Sequence, residues 1–232
     1  MKRFWTDVTV DDAGGIALDG RPVRTPGRVP LVLPTPALAQ AVAAEWRAVG
    51  ETLDPRAMPL TGLANAAIDR VAADPATFAA GLAAYGESDL LCYRAPDPEP
   101  LVARQAAAWD PWLDWARRRY DVHFAVTSGV LHHPQPLATL ARLAEAVGAL
   151  GPFHLAPLSP IVTITVSLIL TLALVERAGD PETLWAAANV DEDWQAEHWG
   201  VDALAQQARD ARRRDYDAAV QFLTALDPGE RA

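Results

Sequence analysis

The chain is 232 residues long, half of them hydrophobic and 22% charged, with a formal net charge of −10. That length holds one large domain or two small ones around a real core, and the ordinary charged fraction argues against global disorder. The acidic balance argues against a general nucleic-acid binder, which needs a basic face for phosphates.

In chain order, the opening "MKRFWTDVTV" has neither an apolar signal core nor an amphipathic Arg/Ser-rich presequence. Its alternation predicts a strand with Phe4, Thr6, Val8 and Val10 on one side and Trp5, Asp7 and Thr9 on the other. "DDAGG" reads as a turn, Ile16-Ala17-Leu18 as a short strand, and Asp19-Gly20 as a tight hairpin turn. "RPVRTPG" and "VPLVLP" supply further extended pieces, confined by their prolines to the edges or ends of a sheet. At Thr35 the pattern becomes helical: Thr35 suits the N-cap, Pro36 the first helical position, and Gly50 the end. Leu38, Val42, Trp46 and Val49 form the apolar stripe between them. "LTGLANAAIDRV" predicts a second helix, and "DPATFAAGLAAYG" repeats the same cap, proline, stripe and glycine.

"DLLCYRA" reads as an apolar strand, after which Pro96, Pro98 and Pro100 break the chain. Its Cys92 is the only cysteine, which rules out an intrachain disulfide and any cysteine-built zinc site and fits a reducing compartment. A long helix is expected from about Leu101 to Tyr120, kinked or restarted at Asp110-Pro111. "VHFAVTSG" returns to strand character, so strands bracket helices to about residue 130, in a unit whose sheet is completed late. Beyond Pro134 and Pro136 helical signals dominate: "LATLARLAEAVGAL", "DPETLWAAANV" and the closing "DALAQQARDARRRDYDAAVQFLTAL". In the longest apolar run, Ile161 to Val175, Val162, Ile164 and Val166 alternate with Thr163, Thr165 and Ser167 as in a strand. The length of the run favours a buried helix, and helix is the expectation; at about fifteen residues it falls short of the ~20 needed for a bilayer span. A soluble protein follows. The basic runs Arg117–Arg119 and Arg212–Arg214 read as solvated helix faces, the second flanked by Asp210, Asp215 and Asp217.

Searches for catalytic constellations find little. No nucleophile elbow, P-loop or dinucleotide fingerprint is present. His132-His133 precedes Pro134 and reads as loop, because adjacent imidazoles rarely converge on one ion; His123 and His154 stand singly. The stretch "VDEDWQAEHWG" (190–200) gathers four carboxylates, one histidine and two tryptophans. As a helix it would set Asp193 and Glu197 together at i,i+4, a like-charge cost of a few tenths of a kcal/mol. Glu197 and His198 would point ~100° apart, so chelation by Asp193, Glu197 and His198 in a metal-dependent hydrolase is the weaker alternative. The same helix would line up Val190, Trp194, His198 and Val201 on one face and Glu192, Gln195 and Trp199 toward another. Trp199 beside carboxylates has the composition of an anchor for a protein partner with basic groups, and packing of that tryptophan is the plain alternative.

Six stretches in order carry a resemblance: "RFWTDVTV", "LDGRPVRTP", "EWRAVGETLDPRAMPLTGLANAAID", "ESDLLCYRA", "RQAAAWDPWLDWA" and "DEDWQAEHWG". Together, from about Arg3 to Phe222, the chain resembles the assembly chaperone family that escorts the alpha subunit of the ATP synthase catalytic head. The resemblance implies a non-enzymatic chaperone, without cofactor or metal, that holds free alpha subunit until it pairs with beta. It implies an α+β fold, with a small N-terminal α+β domain carrying antiparallel hairpins (1–130) followed by an orthogonal helical bundle (131–232). A bacterial cytoplasmic monomer that neither enters membranes nor binds nucleic acid is expected. Matching positions are Trp46 after Glu45, the stretch Asn65 to Asp69, Tyr93-Arg94 and 191–200. The implied partner-binding residues are Asp191, Glu192, Asp193, Trp199, Trp46 and Arg94, with core packing the stronger role for Trp46. One departure is the β-branched "VTITVSLIL", where relatives carry small residues.

Overall fold

The computed structural model describes residues 2–227. It forms two compact units: residues through Pro75, Gly151–Pro157 and those from Arg214 onward make the first, Ala76–Leu150 and Leu158–Arg213 the second. This differs from a single cut after residue 130. The reason lies in the first unit's core, which takes Phe222 and Leu226 from the end of the chain and packs Phe153 against them.

The first unit opens with an antiparallel sheet of β1 (Val8–Val10), β2 (Ile16–Leu18) and β3 (Arg21–Pro22) in register Val8↔Leu18 and Leu18↔Arg21. Asp19 and Gly20 both adopt positive φ, 47° and 75°, as the expected two-residue turn requires. The Asp19 carboxylate also accepts the amides of Thr6 and Asp7, at 3.1 and 2.8 Å. The chain bends at Thr6, so the expected alternation fails there: Trp5 joins Val8 in the core at 2% exposure, while Phe4 is left 62% exposed.

Helix α1 (Pro36–Ala48) starts as expected, with the Thr35 hydroxyl accepting the Leu38 amide. Leu38, Ala39, Val42 and Ala43 pack in one cluster with Trp5, Ile16, Leu18, Leu31 and Leu33. The next helix, α2 (Pro59–Ala66), has Met58 at its N-cap and therefore no capping oxygen of its own. Glu45 of α1 supplies it, accepting the amides of Leu60 and Thr61 at 2.7 Å each. A π-helical turn, Ala67–Val71, follows. From it Asp69 accepts the Thr25 hydroxyl at 2.6 Å and the Gly27 amide at 2.7 Å, tying down the 25–27 turn.

In the second unit, α3 (Pro75–Ala83) leads into two 3-10 turns; the second, Leu90–Cys92, occupies most of the expected "DLLCYRA" strand. Only β4 (Tyr93–Arg94) remains extended, paired in parallel with β5 (Thr127–Ser128). These two strands form a sheet of their own rather than completing the first. Backbone at His123 and Ala125, expected as strand, is paired by side chains instead: Thr139 bonds both groups of His123, and Gln135 both groups of Ala125. Helix α4 (Glu99–Tyr120) runs unbroken through Pro111 and buries Gln105, Trp109, Leu113 and Ala116.

After α5 (Leu137–Gly148), the apolar run is helical but in two pieces, α6 (Pro152–Thr165) and α7 (Leu168–Val175). The break falls at Val166, whose φ is +51°, a conformation a β-branched residue adopts only under strain. Ser167 caps α7 by accepting the Leu170 amide. Fully buried Asp89 secures the same corner, accepting the amides of Leu91 and Ile169 at 3.0 Å each. The remaining helices are α8 (Pro181–Ala188), α9 (Val190–Trp199) and α10 (Ala203–Leu226). Among the described residues no helix is long and apolar enough to cross a membrane.

Candidate functional site

The acidic-aromatic stretch forms α9, anchored at Val190 on the core side and stopped at Gly200, where φ is +85°. Asp202 then caps α10 through the amides of Leu204 and Ala205. Helix α4 packs against α7, α8 and α9, and the buried Trp109 indole donates to the Ala187 carbonyl at 2.7 Å.

Three of the four α9 carboxylates meet an arginine of the same chain. Glu192 pairs with Arg212 and Asp193 with Arg209, both at 2.5 Å, while Glu197 takes two bonds from Arg104 at 2.6 and 2.9 Å. The Arg104 hydrogen bond, first among the causes, holds the Glu197 carboxyl below the usual carboxylate range. These three acids therefore find their counter-charges within the chain, on α4 and α10. Arg212 and Arg213 are correspondingly not a purely solvated face, since Arg213 pairs with Glu182. The metal alternative loses its ligands in the same way, with Asp193 and Glu197 held by arginines and His198 Nδ1 directed at the Trp194 carbonyl, 2.8 Å away. Among the described residues no three metal-ligating side chains gather.

Asp191 differs from its neighbours. Among the described residues its carboxylate meets only a neutral donor, the side-chain amide of buried Gln105, at 2.7 Å. It opens onto a groove of about 890 Å³ bordered by Tyr93, Arg94, Leu101, Val130, Trp194 and Trp199. On one wall His198 stacks on Trp194, with ring centroids 4.0 Å apart. Trp199, 77% exposed, edges this groove and also a smaller one of about 200 Å³ between α9 and the start of α10. Val130, 96% exposed, also borders the larger groove.

The sequence-derived candidates therefore separate. Asp191, Trp199 and Arg94 border one groove, whereas Glu192 lies at the smaller one and Asp193 beside Trp112 and Arg104. Arg94 is committed to the fold: its side chain is 10% exposed, bonds Asp110 at 2.6 Å and lies over the Trp109 ring. Trp46 packs half-buried in the first unit's core, edge-on to Trp5 at 5.4 Å. Asp97 was missed as a groove residue because the "APDPEP" stretch reads only as a chain break, and Leu101 and Val130 because no local pattern brings them together with α9. The Arg209 and Arg212 pairing carried a signal, since their i,i+3 spacing places both on one helix face.

The family model for the ATP12 chaperone protein matches residues 2–117. The crystal structure of Atp12 from Paracoccus denitrificans superposes with a TM-score of 0.86 at 42% identity, covering 97% of each chain. A candidate chaperone from Agrobacterium tumefaciens superposes with a TM-score of 0.91 at 43% identity, covering 97% of this chain and 86% of that one. The α+β fold and its helical remainder agree with these structures. With half the sequence matched by the family model and relatives above 40% identical along nearly its whole length, this chain belongs to the ATP12 chaperone protein family.

Proposed function

We propose that this chain is an assembly chaperone for the ATP synthase catalytic head, binding free alpha subunit and keeping it from aggregating until it pairs with beta. Membership of the ATP12 chaperone family carries the reading. The surface chemistry supports it: a large aromatic, Trp199, stands mostly in solvent beside a groove, as an anchor for another molecule would. The reading assigns no catalytic step and no cofactor, and the binding form is the monomer. Its contact residues come from the groove side of α9, Asp191 and Trp199 first.

Freshly diluted alpha subunit, followed by light scattering with and without the purified protein, tests this. Suppressed scattering, and a complex of one chain of each on a sizing column without nucleotide hydrolysis, are expected. Unchanged aggregation with no complex overturns the reading.

A further inference from the structure

We propose that the groove bordered by Tyr93, Trp194 and Trp199 receives a client segment in which a lysine or arginine is flanked by apolar side chains, the cation seating beside Asp191. The proposal rests on the chaperone reading and narrows it to one contact chemistry.

Charge accounting within α9 singles out the position. Glu192, Asp193 and Glu197 are each neutralised by an arginine. Among the described residues Asp191, the one that borders the groove, has only the neutral Gln105 amide. Asp97, which also borders the groove, is exposed and, among the described residues, has no ion-pair partner. Among the described residues the one arginine or lysine bordering the groove, Arg94, is balanced by Asp110. The lining is therefore negative in net charge, on a chain that is itself at −10.

The walls suit the same occupant. Indole and phenol faces attract a guanidinium or ammonium through the ring quadrupole, most strongly where water is thinned out. Trp194, three residues on from Asp191 along α9, and Trp199 at the end of that helix supply such rings at the groove. Leu101 and Val130 give flanking apolar side chains a surface to cover. An anionic or purely apolar segment would leave Asp191 and Asp97 desolvated without compensation.

The test uses two short capped, dye-labelled peptides, one alternating leucine with arginine and one alternating leucine with glutamate, read by fluorescence anisotropy on the whole protein. The arginine peptide is expected to bind and the glutamate peptide not. Asp191→Asn, which keeps an oxygen for the Gln105 amide, should weaken binding roughly tenfold, and Trp199→Ala about tenfold or more. Asp12→Asn removes an equal charge outside the groove and should leave affinity unchanged. Should Asp191→Asn melt early, Asp97→Asn on the exposed rim takes its place. Equal binding of both peptides, or equal losses from Asp12→Asn and Asp191→Asn, overturns the proposal.

The alpha-subunit assay separates the two readings. Wild-type protection of alpha that survives Asp191→Asn and Trp199→Ala leaves the chaperone function standing and removes the groove. Peptide binding that depends on Asp191, with no protection of alpha, leaves the groove and removes alpha as its client.

Discussion

Asp89 is sealed from solvent with amide donors and, among the described residues, no ion-pair partner. Burial pushes its carboxyl up to about 6, against 3.8 for the ordinary side chain, and the bonds from Ile169 and Leu91 only partly offset that. Between those values the folded chain holds a proton that the unfolded chain has released. The resulting stabilisation is complete below 3.8 and is lost as the pH rises through about 6. Urea midpoints measured from pH 7 down to pH 5 should show this contribution as a slope of up to about 1.4 kcal/mol per pH unit. Asp89→Asn, with nothing to titrate, should flatten that part of the profile; an unchanged profile would mean the carboxylate ionises freely in the fold. In the sequence Asp89 was opaque, since neither its neighbours nor its spacing announces a contact with Ile169, eighty positions on.

Elements were readable to the extent that their ends are chemically marked. Thr35-Pro36 and Asp180-Pro181 start helices where a capping oxygen precedes a proline, and Asp19-Gly20 turns a hairpin. Side chains arriving from elsewhere were unreadable. Glu45 caps α2, and Thr139 and Gln135 pair backbone that would otherwise need a strand neighbour. The α6–α7 break belongs with these: alternating Thr and Val in "VTITVS" hinted at extended backbone, but only Val166 and Ser167 leave the helix. Val166→Gly should therefore stabilise the chain by about 1 kcal/mol, relief of left-handed strain outweighing the entropy of glycine, as read from the denaturant midpoint. Helix α9 makes the same point for the site. Its carboxylates stand out in the sequence as a group, but their partners sit on α4 and α10. Asp193→Lys should lower stability by about 1–2 kcal/mol by facing Arg209 with a like charge, and adding Arg209→Glu should recover most of it. A double variant no better than the single would mean that the pair is not made in solution.

On the scale of the whole molecule, the balance of 20 basic against 30 acidic side chains acts on any approaching client before contact. Internal pairing cancels much of that charge locally, on α9 almost completely, but pairing leaves the net of −10 untouched. Long-range attraction therefore remains for a cationic segment, while the groove's own contacts govern how long it stays. The two contributions respond differently to salt, because screening reaches separated charges in water far more than a seated cation against Asp191. Raising ionic strength from about 50 to about 300 mM should slow association of the arginine peptide severalfold and change its dissociation little, as stopped-flow anisotropy would resolve. An association rate flat across that range would remove the net charge from the account of capture, leaving Asp191 and Trp199 to act only once the client is already in place.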